Sequence, residues 1–289
     1  MNISIIIICN EIRETKLSRL LASVKPQLTP GMEIEILLLH ESLTPQVLPA
    51  LPVKVRYIPI PPQRGIPFNR NQGLLHARGK LIVFIDDDCW VPESWLSSLL
   101  EPLSRPEIMV STGGTIVPHS NFLGDCIAAL GFPGGGSLGF DKVWKVSADG
   151  FTNHLSVGNC AIRHKLFERI GNFDESLKSG AEDTEFSYRL EKAGVHIKYV
   201  SDAAAFHESR TSWKAFVHWQ LRRGRANYQF KRKVGKVGSF VSLRLWSAKN
   251  IVAHNFTKLR FPVVMFLLGS SFVLQQWGYI LERHDEKKN

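Results

Sequence analysis

Residues 3–9 (ISIIIIC) are continuously apolar and mostly β-branched, the pattern of a strand covered on both faces. No basic stretch precedes this run, and it ends at Cys9-Asn10-Glu11, so it reads as a first buried strand rather than a secretory signal. In 14–24, Leu17, Leu20, Leu21 and Val24 recur at helical spacing. Residues 33–39 and 53–58 read as two more strands. Asn69-Arg70-Asn71 predicts a turn that leads into a helix over Leu74 to Ala77. Another buried strand, 80–85 (KLIVFI), runs straight into Asp86-Asp87-Asp88, and a helix start follows at 92–96. This alternation predicts an α/β fold with a mainly parallel sheet wrapped by helices. Ligands of such sheets bind beyond the carboxyl ends of the strands.

The second half is patterned differently. Residues 131–139 (GFPGGGSLG) read as a flexible loop and a candidate lid. Residues 156–170 predict a loop-to-helix unit, 181–193 a helix with Phe186 and Leu190 on one face, and 196–200 a strand. From Trp213 to Tyr228, aromatic and aliphatic positions alternate with Arg222, Arg223 and Arg225 as in a basic amphipathic helix. Residues 261–281 hold no charge. At about 1.5 Å per residue they are just long enough to cross a hydrocarbon core of about 30 Å. Gln275 and Gln276 suit a clean span poorly, so a buried or interfacial helix competes with it.

Charge sharpens this division. The 289 residues carry 36 Lys+Arg against 26 Asp+Glu, a net +10. Thirteen Lys/Arg and no Asp or Glu fall between Ser209 and Arg260, so the rest of the chain stands at −3. A mildly acidic body thus carries one basic segment that suits polyanions: nucleic acid, anionic lipid or phosphorylated glycans. The composition excludes a disordered or collagen-like chain. Four scattered cysteines without a CxxC pair exclude a zinc ribbon and a dense disulfide scaffold, and suit a reducing cytosol.

The sharpest chemical feature is the Asp triplet. Three carboxylates at a strand end repel one another, and a hard cation such as Mg²⁺ or Mn²⁺ holding substrate phosphates relieves that cost. The same residues suit a helix N-cap cluster, with Pro92 in the first turn. The surrounding residues extend the pattern: Arg70-Asn71-Gln72-Gly73, Ala77-Arg78-Gly79, the apolar strand 81–85, the triplet and Pro92. This ordered run resembles the core signature of family 2 glycosyltransferases of the GT-A fold. A second block resembles that family's acceptor-side segment: Gly158-Asn159, Ala161, Arg163, Ile170-Gly171, Phe173-Asp174-Glu175, Glu182-Asp183, Arg189-Leu190 and Gly194.

The resemblance spans about 3–225 and implies a Rossmann-like, nucleotide-diphospho-sugar-binding fold with a C-terminal helical appendage. It divides the chain into a domain over 1–208, with a nucleotide-sugar half (1–100) and an acceptor half (101–208), followed by a basic, helical, membrane-associated region over 209–289. It implies an inverting hexosyltransferase with Asp183 as general base. Asp86 and Asp88 would hold Mn²⁺ or Mg²⁺ with help from His207, and Asp86, Asp87, Arg70, Asn71, Asn10, Glu11, Glu41 and Arg222 would bind the donor. Gly158, Asn159 and Glu182 would meet the acceptor. Gln220-Leu221-Arg222-Arg223 resembles a Gln-x-x-Arg element found near the diphosphate. One departure is His40-Glu41, where the family has an acidic pair; a UDP-sugar is the implied donor, with guanosine and thymidine carriers open.

Other classes remain. A nucleotidyltransferase would carry a glycine-rich loop after the first strand, and residues 9–14 hold no glycine. A nucleic-acid binder would use the basic segment with Trp213, Trp219, Tyr228 and Phe230, but leaves the acidic motifs without a role. A family fold without catalysis is at odds with the intact triplet and Asp183. The expected partners are a glycan or lipid-linked acceptor of the cell envelope and the inner, cytoplasmic face of an anionic membrane, reached peripherally or through one C-terminal segment.

Overall fold

The computed structural model describes residues 2–9, 14–29, 31–41, 50–235 and 238–287. Its contacts gather into two compact units. The first comprises Met1–Gly114, Val146–Glu175 and Phe186–His207, and the second Thr115–Lys145, Ser176–Glu185 and Glu208–Asn289. The C-terminal region from 208 onward therefore forms a unit together with two segments from the middle of the chain.

The first unit is built on a mixed sheet. β1 (Ile3–Cys9), β2 (Ile34–His40), β3 (Lys54–Pro59) and β4 (Leu81–Asp86) pair in parallel in the order β3-β2-β1-β4. β4 then meets β8 (Asn159–Arg163) antiparallel. The sheet continues through β6 (Val110–Ile116) and β9 (Ile197–His207) to the short β5 (Cys89–Trp90), while β7 (Phe151–Thr152) pairs with β9. Alternation places Ile5, Ile7, Ile36, Val83 and Ile85 on one face. They pack there on Leu17, Leu20 and Leu21 of α1 (Glu14–Val24) and on Trp95 and Leu99 of α3 (Trp95–Leu100). Ile6, Leu37, Ile82 and Phe84 point the other way, onto Leu74 of α2 (Ile66–His76) and Phe167 of α6 (Leu166–Ile170). Phe186 and Leu190 of α7 (Glu182–Lys192) complete that layer. Both faces are covered, which explains why these strands lack polar alternation.

Several local expectations change. Asn69–Asn71 are not a turn: they lie inside α2, which begins after Gly65. Gly73 of α2 allows the helix to lie directly on β1, since a Cβ there would stand 2.6 Å from Ile6 Cγ2. The loop-to-helix unit at 156–170 contains β8, and the strand expected at 196–200 runs on to His207. Short-range pattern does not show β8 or the continuation of β9 because their extended state is fixed by pairing with distant strands.

In the second unit, α4 (Phe122–Ala128), α5 (Phe140–Val143), α8 (Trp213–Val234), α9 (Gly238–Asn255) and α10 (Phe261–Glu286) form a helical cluster. The glycine-rich stretch 131–139, expected as a loop, is a packed turn. Gly134, Gly135 and Gly136 are buried, and the carbonyls of Gly134 and Gly136 accept from Thr115 and Val117 N–H at 2.8 and 3.2 Å. Its glycines adopt positive φ in a packed turn, which requires their lack of a side chain without implying motion. α8 and α10 touch at backbone level: a Cβ on Gly224 would lie 2.1 Å from the Gln275 carbonyl oxygen, and one on Gly278 2.1 Å from that of Leu221.

Candidate active site

Asp86 ends β4, and Asp87-Asp88 turn the chain into β5, so three carboxylates leave the carboxyl edge of a parallel strand. Asp87 and Asp88 are buried, whereas half of the Asp86 side chain is exposed. β5 pairs with the end of β9, placing Cys89 opposite His207. His207 Nε2 consequently stands 3.2 Å from Asp88 Oδ1. Burial, reinforced by the charges of Asp86, Asp88 and Asp87, raises the Cys89 thiol well above its ordinary pKa and keeps it an inert neutral group.

Buried Arg70 on α2 approaches the triplet, its Nη2 3.8 Å from Asp86 Oδ1. Gly158 leaves room for the same carboxylate. Its carbonyl accepts the Asp86 N–H at 3.2 Å, and a Cβ on Gly158 would sit 2.2 Å from Asp86 Oδ2. The sequence motif therefore has a steric content, for only glycine coexists with the observed Asp86 rotamer.

Two other expected site residues are engaged within the protein. Asn159 is fully buried, accepts from Trp95 Nε1 at 2.8 Å, and donates to the Gly114 and Ala203 carbonyls at 2.8 and 2.7 Å. Asn71 donates to the Phe173 carbonyl and Glu175 Oε1, both at 2.9 Å, and accepts from Phe173 N–H at 3.0 Å. Both amides act as struts that hold the segments around the triplet. Ala77-Arg78-Gly79 is likewise structural, with the Arg78 N–H donating to buried Glu35 at 2.8 Å and the Gly79 N–H to Ser4 Oγ at 2.8 Å. Burial alone would raise Glu35, but hydrogen bonds from Ser4, Arg56 and Arg78 outweigh it and hold the carboxyl below its ordinary value.

At the nucleoside end, Asn10 and Glu11 lie outside the described residues. Glu41 follows β2 and is half-buried, while His40 is buried with its ring 5.8 Å from that of Tyr57.

In the second unit, Glu182 and Asp183 begin α7 after Gly180 and Ala181, whose φ values are 117° and 68°. Ala181 is in the left-handed region without being glycine, a local strain held at a helix entry. Asp183 Oδ1 accepts from the Thr184 N–H at 2.6 Å, so the helix N-terminus fixes and stabilises the carboxylate. Glu182 is buried beside it. Arg222 Nε donates to the Ser179 carbonyl at 3.1 Å.

Arg223 contributes more than the sequence suggested. Its guanidinium lies 3.9 Å from the Phe132 ring centroid and 5.5 Å from that of Trp219. Burial, with the charges of Arg244 and Arg210, lowers its pKa to about 9, against the opposing pull of Asp183. Gln220 and Arg223 share one face of α8 and, with Arg244, line a cavity of about 80 Å³. The three-residue spacing was the available signal, but it does not by itself say which neighbouring arginine turns inward.

Among the described residues, no group of three or more His, Cys, Asp or Glu side chains is gathered closely enough to hold a metal ion. The residue types are those a hard divalent ion takes, with the Asp88–His207 pair at 3.2 Å the one contact that gathers them. Asp86 and Asp88 offer carboxylate oxygens and His207 an imidazole nitrogen, and such ions complete their shells with phosphates and water. A larger cavity of about 640 Å³, lined by Arg78, Lys80, His164 and Phe167 among others, adjoins the residues that precede β4 and not the triplet that ends it.

A model of the family described as "Glycosyl transferase family 2" matches residues 4–171. The O-antigen biosynthesis protein RfbC of Myxococcus xanthus is 26% identical over 168 residues, which make up 52% of this chain and 13% of the relative. The glucosyl-dolichyl phosphate glucuronosyltransferase of Haloferax volcanii is 26% identical over 180 residues, 54% of each chain. The chain thus spans about half or less of these two relatives. Among solved structures, the mannosyltransferase PcManGT of Pyrobaculum calidifontis, in complex with GDP-Man and Mn²⁺, is 16% identical with a TM-score of 0.57, covering 94% of this chain and 75% of that one. S. aureus TarS 1–349 is 17% identical with a TM-score of 0.53, covering 99% and 92%. At such identities the likeness to the solved structures is one of fold, that of the GT-A enzymes.

Proposed function

The chain belongs to glycosyl transferase family 2, and from that premise we propose that it moves a sugar from a nucleoside-diphosphate donor to a hydroxyl of a glycan or lipid-linked acceptor, with inversion at the anomeric carbon. The observation that carries this reading is the Asp triplet at the carboxyl edge of β4, with His207 on Asp88 and Gly158 making room for Asp86. A family fold that had lost its chemistry would have no need of three carboxylates and a buried arginine at one strand end.

In this reading Asp86, Asp88 and His207 would hold Mn²⁺ or Mg²⁺, which would supply positive charge to the departing diphosphate. Arg70 braces the aspartates or the phosphates, and Asp87 contacts the ribose, the sugar or the metal. Asp183 takes the proton of the acceptor hydroxyl as that oxygen attacks the anomeric carbon and the diphosphate leaves from the other side. The Thr184 N–H holds the Asp183 carboxylate in place at the start of α7 for this step. A single displacement inverts the configuration without an enzyme nucleophile. The family's usual uridine carrier is the favoured donor. GDP-Man in the mannosyltransferase complex supports testing guanosine carriers beside it. Asn10, Glu11, Glu41 and Arg222 remain assigned to the donor, and Gly158, Asn159 and Glu182 to the acceptor side, with Asn71 and Asn159 acting by positioning. The basic 209–260 segment seats the enzyme on the cytoplasmic face of an anionic membrane.

A thermal-shift screen of nucleoside diphosphates with Mn²⁺ identifies the base, followed by sugar-transfer assays of Asp88→Ala and Asp183→Asn. Wild-type turnover in Asp183→Asn removes the base assignment, and transfer by Asp88→Ala that survives EDTA removes the metal role.

A further inference from the structure

The feature of the molecule that the proposed chemistry leaves unused is the outer side of α10. This helix has 26 residues and is long and apolar enough to cross a membrane, yet only 28% of its most apolar window is buried. Its two sides differ sharply. Val264, Leu267, Ser271, Gln275 and Gly278 are buried at helical spacing. On the opposite side, Phe266, Val273, Trp277 and Ile280 are 62%, 70%, 58% and 56% exposed. The turn that leads into α10 adds Phe256 and Leu259, 69% and 99% exposed, next to Lys258 and Arg260. Monomeric soluble proteins rarely leave so many large apolar side chains on one side of a helix uncovered.

We propose that α10 and its entry turn form an in-plane anchor, with the outer stripe seated in the interface of an anionic lipid bilayer and the helix lying along the surface instead of crossing it. This deepens the membrane-facing part of the function proposed above and does not depend on sugar transfer.

The buried side of α10 argues against a crossing. It is joined to α8 by the reciprocal glycine contacts and by the Gln275 Nε2 hydrogen bond to Gln220 Oε1 at 2.7 Å. Arg225 adds ion pairs to Glu282 and Asp285 at 2.7 and 2.8 Å. A helix that crossed the bilayer with these contacts intact would carry α8 with it. α8 holds Lys214, Arg222, Arg223, Arg225, Lys231, Arg232 and Lys233, each a costly passenger at bilayer depth. Lying flat keeps every α8 contact and covers only the apolar side.

Charge selects lipid over a second copy of the chain. The entry turn carries Lys258 and Arg260 on either side of the exposed Leu259, so a two-fold contact through the stripe and this turn would bring like charge against like. The acids at the end of α10 are engaged with α8, through Arg225 to Glu282 and Asp285 and through Tyr228 to Glu286. An anionic surface meets the cations and the apolar stripe together.

The test is flotation of the purified full chain with phosphatidylcholine vesicles, with and without phosphatidylglycerol, alongside carbonate extraction of membranes from expressing cells. The expected result is binding that depends on phosphatidylglycerol and release by carbonate. The double variant Leu259→Glu, Trp277→Glu changes two exposed side chains, so it should melt as wild type and lose at least about tenfold in vesicle partitioning. Lys258→Gln, which removes one cation of the entry turn, should lose about fivefold. Equal binding to both vesicle types, wild-type partitioning of the Leu259/Trp277 variant, or resistance to carbonate would each overturn the proposal. A concentration-dependent dimer that does not float would do so as well, assigning the stripe to a second copy. Failure here is separable from failure of the transferase reading: loss of flotation with an intact nucleoside-diphosphate thermal shift removes the anchor alone. Flotation retained without any such shift removes the transferase reading alone.

Discussion

A methyl group at position 158 isolates the role of Asp86. In Gly158→Ala the new Cβ would lie 2.2 Å from Asp86 Oδ2 and 2.7 Å from Asp86 Cγ. Relaxed non-bonded contact requires the carboxylate to retreat by about 1 Å. The backbone accepts the substitution, because Gly158 does not have the positive φ that restricts other glycines of this chain. Asp86 is half-exposed, so its side chain can swing toward water, and the fold should lose no more than about 1 kcal/mol. The reaction should suffer far more. A misplacement of about 1 Å in a positioning group costs on the order of 10²-fold in rate, or about 2.7 kcal/mol of barrier. The assay pairs sugar-transfer kinetics across a Mn²⁺ titration with a thermal melt. The expected outcome is a melting temperature near wild type with turnover reduced about a hundredfold. Unchanged turnover in a folded variant would refute the idea that the Asp86 rotamer, and Gly158 behind it, matter to catalysis.

Other expectations follow from single contacts. Asp183→Asn keeps an acceptor for the Thr184 N–H, so it should fold normally while sugar transfer falls about 10²- to 10⁴-fold. Gly278→Ala places a Cβ 2.1 Å from the Leu221 carbonyl oxygen and should cost about 1–3 kcal/mol in denaturant unfolding, whereas Gly269→Ala, with open space around it, should gain about 0.5–1 kcal/mol. His154 is buried, and burial lowers its pKa from 6.5 to about 3. Above pH 6.5 it is neutral in both folded and unfolded chains. Below that, the unfolded chain takes a proton that the folded one refuses, and stability falls by up to about 1.4 kcal/mol per pH unit toward pH 3. His154→Phe should flatten that part of an unfolding-versus-pH curve. All four cysteines are free and buried, so a thiol reagent should label them only as fast as the chain opens.

The sequence by itself determined the parallel half of the sheet and the place of its chemistry. Apolar runs such as 3–9 and 80–85 have one stable use, as strands covered on both faces, and a carboxylate triplet directly after such a strand falls at its carboxyl edge. The helices over 14–24 and 181–193 were legible for the same local reason, since amphipathic periodicity depends only on neighbours along the chain. What depended on distant partners was not legible. β8 is extended because β4 and β6 pair with it, and 131–139 is a packed turn because Thr115 and Val117 donate to its carbonyls. Side-chain roles divide in the same way. Asn71 and Asn159 carry the residue type of a ligand-binding amide, but the structure engages their hydrogen-bonding groups with Phe173, Glu175, Trp95, Gly114 and Ala203. Arg222 and Arg223 are adjacent and chemically identical; only the helix rotation within the second unit turns Arg223 onto Phe132 and Trp219 and sets its charge against that of Asp183. The uncharged run at 261–281 meets the length of a membrane span, but which of its sides is already covered was decided by two glycines and a pair of glutamines on α8 and α10. Pattern along a chain reports what a segment can bury, and only tertiary contact decides which of its groups are already engaged.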